Sequence, residues 1–472
     1  MVQGPTPPLR PILEPGEYRV LWHVPDKDGT IVQIDGDLIL APDRPPRAMA
    51  YGDLPGIWTV ANGTKAAAFP QWHDGGEVQG QLLNGMHVIL VDTVVEAVAD
   101  RTRLIGRAAL VGRSKVPANF TVHRIEVQVD ALDALAAIPP LKPQPLQIPG
   151  STKRHLEFEW TATGQPDSTQ IWSDAGAEVK FRYSVSRSAD DWWAFRVTFS
   201  PVVLITPTEP MSFTVAFEDW VEPLRNVVSV STGRPQPITY LAVDLGAEVG
   251  DPVTHQVFGT ALHQQPYASL GNTVRNRRPS FRVSPTELSL LELLRRWQEM
   301  KAEHHPLIET YGSLIYAKDQ HPRSRLLLLL QAIEGLYGHE HQAEYEDRVA
   351  KHTTRRSEVI EALADVGTEV LKFVKKYLAR VPPSTLDVAV AETLKAAPVD
   401  VTEQLAATKL LQNAASVPAG LRVMRNKMAH GVLGYDAMDL YDVVQPLEGV
   451  VRANMVRVLG GTQDDQRRAQ EQ

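Results

Sequence analysis

Polar and apolar residues alternate over Glu17–Val24 (EYRVLWHV), the pattern of a half-buried strand. Short runs of the same kind recur at Gly29–Leu40, His87–Val91, Arg103–Val111 and Phe120–Val129. More follow at His155–Trp160, Glu178–Val185, Trp192–Phe199 and Phe213–Phe217. Asp35-Gly36 and Asn84-Gly85 predict tight turns between strands. Trp220–Ser231 predicts a helix ahead of Gly233-Arg234-Pro235, and Gly246–Ser269 is mixed and loop-rich.

After this the period changes. Ser284-Pro285-Thr286-Glu287 is a helix start, and Leu288, Leu290, Leu291, Leu294 and Trp297 repeat at helical spacing. Pro306 and Pro322 open further helices, and His321–Tyr337 carries a strongly apolar face with Gly338 as its stop. Helical segments follow over Glu358–Leu378, interrupted near Gly367 and ended by Pro382-Pro383. Leu386–Lys395, Thr402–Asn413, a helix opened by Pro418, and Asp439–Leu459 complete the series.

The pattern predicts an α+β multidomain chain, with a β-rich, sandwich-like N-terminal half and an all-α bundle behind it. The expected divisions are a flexible N-terminus at 1–15, a β-rich domain at 16–270, a basic linker at 271–285, a helical domain at 286–459 and a disordered tail at 460–472. The proline-rich stretch 139–150 (PPLKPQPLQIPG) is where the β half would divide into two lobes. Composition agrees with the division: eight of nine Trp precede position 221, whereas Leu, Ala, Glu and Arg dominate the second half. Most of these Trp side chains are expected to be core packing, with a minority available for recognition.

A chain of 472 residues is too long for one core. A formal charge of −8 and a pI near 6.0 exclude a generally basic nucleic-acid binder and leave room for a local basic site. Cysteine is absent, which excludes disulfides and thiol chemistry and sits easily with a cytoplasmic location. The first fifteen residues lack the apolar core of a signal peptide, and the longest apolar run, Leu326–Ile333, is far short of a membrane span. No membrane partner is expected.

Candidate chemistry concentrates in Met424-Arg425-Asn426-Lys427-Met428-Ala429-His430-Gly431. At about 100° per residue, Leu421, Met424 and Met428 form one apolar stripe, with Arg425 at its edge. Asn426 and His430 are an i,i+4 pair, so the amide can orient the imidazole. Gly431 suits a left-handed stop, and a helix C-terminus favours a cation. Arg and His together can cleave RNA without a metal, because the substrate carries its own nucleophile in the 2′-hydroxyl. His430 would move protons and Arg425 would hold the charge growing on the phosphate. Arg422 and Lys427 are further candidates for substrate contact. Arg425 and His430 lie about 140° apart on the helix, so a second copy across a two-fold axis would complete the site. The plainer reading is a basic residue capping a helix end.

Glu334, polar in the middle of an apolar helix, is a candidate partner for Arg425 or Arg422, which would hold the motif helix in place. An exposed edge is the other reading. His304-His305 and His339 with His341 lack the spacing of a metal site and read as solvated loop residues. Arg348, His352, Arg355 and Arg356 read as an exposed helix end, and the basic run Arg275–Pro285 as a solvated linker or an RNA-backbone contact. No metal or cofactor is expected.

The string Arg425-Asn426-x-x-Ala429-His430, closing a helix near the end of a multi-helix region, resembles the Arg-x4–6-His motif of HEPN-domain ribonucleases over roughly Ser284–Leu459. The strand Tyr18–Trp22, the Gly80–Val91 hairpin region and the Trp220–Pro235 helix and turn resemble the ApeA N-terminal domain, which precedes HEPN domains in bacterial anti-phage proteins. The resemblance implies a metal-independent endoribonuclease acting in abortive infection, with tRNA among its substrates and products ending in a 2′,3′-cyclic phosphate and a 5′-hydroxyl. It further implies a homodimer or higher oligomer, a phage-derived activator, and an N-terminal half that senses or restrains. Some HEPN toxins carry a modifiable Tyr two residues after the motif His; that position is Val432 here, and the nearest Tyr is Tyr435. The alternative is a non-catalytic, dimerising helical scaffold whose β-rich half binds a protein or glycan.

Overall fold

The computed structural model describes residues 11–25, 30–52, 58–61, 64–67, 72–98, 101–116, 119–136, 138, 141–145, 158–162, 168–191, 194–246, 254–264, 279–316, 320–363, 367–380, 386–431 and 434–472. The chain forms two compact units. The first comprises residues 1–228, 236–278 and 282–295, and the second 229–235, 279–281 and 296–472.

The first unit is built on antiparallel strands. Strands β1 (Gly16–Pro25), β2 (Ile31–Leu40) and β3 (Arg47–Ala50) come first, and β4 (Trp58–Ala61) and β5 (Thr64–Ala67) pair with each other. Strands β6 (Trp72–Leu82), β7 (His87–Val98), β8 (Arg101–Ile105) and β9 (Ala108–Gly112) follow. The order β7-β6-β1-β2-β3-β8, with β8 returning to β7, closes a six-stranded barrel. The sandwich expected from the sequence is therefore a barrel with a sheet running on from it. Closure removes the exposed edges that an open sheet would leave. Strand β7 makes the branch: Val94–Val98 pairs with β8, while His87–Val91 pairs with β9.

From β9 the sheet continues through β17 (Thr254–Gly259), β16 (Ile238–Asp244), β10 (Arg124–Val129), β15 (Ala194–Pro207), β14 (Ala177–Asp191) and β13 (Gln170–Ser173). Within the 139–150 stretch, β11 (Leu141–Pro145) pairs with β12 (Phe158–Ala162).

Trp22 fills the barrel and is fully buried among Val20, Leu38, Leu82, Leu90 and Leu104. Two glycines make room for it. A Cβ at Gly36 would lie 2.1 Å from the Met49 carbonyl oxygen and 2.6 Å from the indole nitrogen, and one at Gly80 would lie 2.9 Å from the ring. This corrects the expected turn at Asp35-Gly36: β2 runs straight through it, and Gly36 serves close approach inside a strand. The Asn84-Gly85 turn does join β6 to β7, with Gly85 at φ +85°.

Two further expectations are corrected in this unit. Phe213–Phe217 is helical, because Ser212 caps the turn through Val215 N–H and starts α2 (Phe213–Ala216). A π-helical turn (Phe217–Val221) then leads into α3 (Glu222–Thr232), which follows α1 (Leu132–Ala136). The N-terminal arm is held at Leu13, which is buried and has its N–H and carbonyl bonded to the Gln256 amide.

Helices begin at 290 with α4 (Leu290–Ala302), later than the Ser284-Pro285 signal, because Ser289 supplies the cap through Glu292 N–H. Phe281 and Val283, within the expected linker, are buried; residues 271–278 lie outside the described residues.

The second unit contains α5 (Pro306–Leu314), α6 (Pro322–Glu340), α7 (Gln342–Ala362), α8 (Thr368–Tyr377), α9 (Leu386–Ala396), α10 (Thr402–Ala406), α11 (Val417–Ala429), α12 (Ala437–Val458) and α13 (Gln463–Glu471). Helix α12 is the centre of the bundle, and nearly every residue from Val443 to Val456 is buried. Its polar residues Asp442 and Gln445 are exposed, while Arg452 and Asn454 are buried with the apolar ones. Helix α6 packs on α5, α9, α11 and α12. It runs through Gly338 to Glu340, since Gly338 is an ordinary helical residue and the turn closes at His341. Gly367, at φ +106°, does separate α7 from α8.

The tail is not disordered. Thr462 and Asp465 form a reciprocal capping box, Ala469 is fully buried, and Gln470 exchanges two hydrogen bonds with the Val399 backbone. Gly449 on α12 leaves space for the Gln470 carbonyl, which a Cβ would meet at 2.6 Å. The tail's polar composition hid a helix that is stabilised by capping and by one small-residue contact.

Candidate active site

Helix α11 carries the motif. Ser416 caps it through Ala419 N–H, and Pro418 sits in the first turn, where no N–H is needed. Leu421, Met424 and Met428 are buried, forming the stripe that faces the bundle. Gly420 permits close packing, since a Cβ there would lie 2.6 Å from Leu411. His430 is the C-cap, its N–H bonded to the Asn426 carbonyl, and Gly431 follows at φ +77°.

Arg425 is half-buried, and its guanidinium lies 3.7 Å from Glu334 of α6. Of the two partners considered for Glu334, the structure therefore selects Arg425. Arg422 instead pairs with Asp387 at the start of α9, at 2.8 Å. Asn426 is exposed and its Oδ1 accepts from Arg425 at 3.4 Å, so the amide faces the arginine and not the imidazole. Lys427 and His430 are exposed, and neither side chain has a hydrogen-bond partner among the described residues. Residues 432 and 433, including the position of the modifiable Tyr, lie outside the described residues. Tyr435 is half-buried, and burial raises the pKa of its hydroxyl.

One cation was missed by the sequence reading. Arg323, in the first turn of α6, donates to the Met428 carbonyl at 2.5 Å, two residues from His430. It joins the Gly431 N–H, which bonds the same carbonyl at 3.1 Å, and brings another guanidinium beside the motif. An arginine in the first turn of an apolar helix carries no local signal of such a role; only the packing of α6 on α11 reveals it. The last turns of α11 thus carry Arg425, Lys427 and His430, with Arg323 bonded to the Met428 carbonyl; Glu334 anchors Arg425 and Asp387 anchors Arg422.

Of the histidines read as solvated, His304 and His339 are exposed, His341 is half-buried and His305 is buried. His305 is 4% exposed, caps α5 through Leu307 N–H, and its ring meets His339 edge-on at 4.6 Å. Burial and then His339 lower its pKa. His341 stacks on Tyr337. No group of three or more potential metal ligands occurs among the described residues. Helix α7 places Arg348, His352 and Arg356 along one half-buried face, with His352 bonded to the Ala379 carbonyl.

The first unit contains a cavity of about 390 Å³ lined by Arg107, Phe213, Phe217, Glu222, Arg225 and Leu262. Arg107 at its mouth is paired with Glu218 and Asp92. This volume suits a small organic ligand. No helix of the described residues is long and apolar enough to cross a membrane. Comparison with family models, with curated proteins and with solved structures finds no match to this chain.

Proposed function

We propose that the helical unit is a metal-independent endoribonuclease of the HEPN kind, preceded by an ApeA-like unit that senses or restrains it in anti-phage defence. The observation that supports this most is the end of α11. There the exposed imidazole of His430 and the half-buried guanidinium of Arg425, anchored by Glu334, share the last turns of one helix.

In this reading the 2′-hydroxyl oxygen attacks the adjacent phosphorus and the bond to the 5′-oxygen breaks. His430 gives its proton to the departing 5′-oxygen, and the imidazole of a second copy takes the proton from the 2′-hydroxyl. Arg425 holds the equatorial phosphate oxygens as their charge grows, and Arg323 and Lys427 bind the neighbouring backbone. The products are a 2′,3′-cyclic phosphate and a 5′-hydroxyl. Asn426 steadies Arg425 through the bond it already makes. The cavity of the first unit is the observation that favours a second reading, in which that unit binds a ligand and the helical unit serves as a dimerising scaffold.

The test is cleavage of end-labelled RNA, tRNA included, by the full chain with phage lysate as the activator source. Cleavage that persists in EDTA, leaves cyclic phosphate ends and disappears in His430→Ala supports the nuclease. Equal cleavage by His430→Ala refutes the assignment, and complete loss on chelation replaces it with a metal mechanism.

A further inference from the structure

Helices α7 and α8 bury no residue fully, unlike the rest of the bundle. On α8 the half-buried residues Leu371, Val374 and Leu378 lie on one side. The opposite side carries Phe373 and Tyr377, each 63% exposed, with Val370 beside them. An exposed aromatic pair needs an explanation, because burying such a side chain would stabilise the fold. The two rings are one turn apart, with centroids 4.6 Å from each other. Lys372 and Lys376 form a second i,i+4 pair alongside. All four side chains fall within about 140° of the helix circumference.

The charge on this face is as informative as its rings. Lys372 and Lys376 lie on it, Lys375 lies about 160° from Phe373 on the other side of the helix, and the one carboxylate of the helix is Glu369, in a chain whose net charge is −8. Glu369 reaches Lys372 at 3.0 Å, but both side chains are at least three-quarters exposed, so the pair is weak and open to exchange. The Lys376 ammonium lies over the Tyr377 ring at 5.2 Å.

We propose that the Phe373/Tyr377 and Lys372/Lys376 face of α8 is a binding platform for single-stranded RNA, separate from the motif on α11. Unpaired bases stack on the two rings, and the lysines beside them take the phosphates that follow. The identity of the strand as RNA rests on the nuclease reading above; the platform chemistry stands on the face itself. A second copy fits less well, because a two-fold contact through this face would set Lys372 and Lys376 against their own counterparts. A membrane surface fits less well too. The exposed apolar residues on this ten-residue helix are Val370, Phe373 and Tyr377, and the lysines lie along one flank of them.

The probe is a 2′-O-methyl uridine oligomer of about 12 nucleotides, which lacks the attacking hydroxyl and so is not cleaved. Its affinity for the full chain is read by fluorescence anisotropy. Phe373→Ala/Tyr377→Ala should weaken binding by about tenfold or more. Lys372→Gln/Lys376→Gln should lower the slope of log affinity against log salt by about 1.4. Both double variants alter exposed side chains, and unchanged thermal melting confirms that they fold. Equal affinity of the ring variant and the parent overturns the proposal, as does no binding of the oligomer by the parent chain. A ring variant whose only change is its mass in light scattering, or its sedimentation with anionic vesicles, overturns it in favour of a second copy or a membrane. Ring-dependent binding without any cleavage would sink the nuclease reading alone. His430-dependent cleavage with ring-independent binding would sink this proposal alone.

Discussion

Replacing Arg425 by alanine should remove cleavage while leaving the fold nearly intact, and the two effects can be sized separately. The guanidinium meets Glu334 at 3.7 Å, with side chains 36% and 27% exposed. At that separation the gross attraction is about 1 kcal/mol in water and about 4–5 at an effective dielectric of 20. Desolvation and side-chain entropy reduce the net value to about 1 kcal/mol or less for a pair this wet. The bond to Asn426, at 3.4 Å, adds little. With the packing of the half-buried stem included, the loss is about 1–2 kcal/mol. For a unit of this size each kcal/mol moves the melting temperature by about 2–4 °C. The cost in catalysis should be far larger, at least about a hundredfold, because the charge on the phosphate grows as the reaction proceeds. Glu334→Gln should cost a similar degree of stability yet retain cleavage within about tenfold, since Arg425 remains. Melting followed by circular dichroism and single-turnover cleavage of labelled RNA, on parent and both variants, make the comparison. Cleavage by Arg425→Ala within about threefold of the parent would refute the argument. So would a fall of more than about 10 °C, which would make unfolding the cause of any lost activity.

Gly36→Ala should disrupt the barrel, because the added carbon meets a backbone oxygen that cannot swing away; a loss above about 2 kcal/mol is expected in urea titrations. Burial and the neighbouring His339 hold the His305 imidazole below the ordinary histidine value of about 6.5, so the unfolded chain binds the proton more readily. Stability should hold above pH 6.5 and fall as pH drops below it, and His305→Asn, which keeps the cap, should flatten that decline in pH-dependent melting. Ending the chain at Leu459 should destabilise the bundle by about 2–3 kcal/mol through loss of the α13 hydrogen bonds. An unchanged melting curve would return the tail to the dispensable segment its composition suggests.

The division into strands and helices was legible because it rests on periodicity, which is local. The apolar faces of α6, α9, α11 and α12 stand where the spacing of Leu, Val and Met put them, and the buried Leu421, Met424 and Met428 follow from 3.6 residues per turn. So did the place of Arg425 at the stripe edge and of Gly431 at the helix stop, for the same reason.

What the sequence could not decide were matters of partnership. Closure of the barrel depends on β8 returning to β7, a pairing that no single strand encodes, and it turned an expected sandwich into a barrel. The meaning of Gly36 depended on Trp22 and Met49 arriving on either side of it. Helical capping by Ser212 overrode the β propensity of Phe213–Phe217, and the fit of Gln470 against Gly449 ordered a tail whose composition argued for disorder. At the motif, local spacing marked Arg425 and His430, while the choice of Glu334 for Arg425, of Asp387 for Arg422 and of Arg323 for the Met428 carbonyl came from three helices packing together. Hydrophobic pattern sets which face turns inward; which charges meet across the resulting contacts is settled only once those faces are packed.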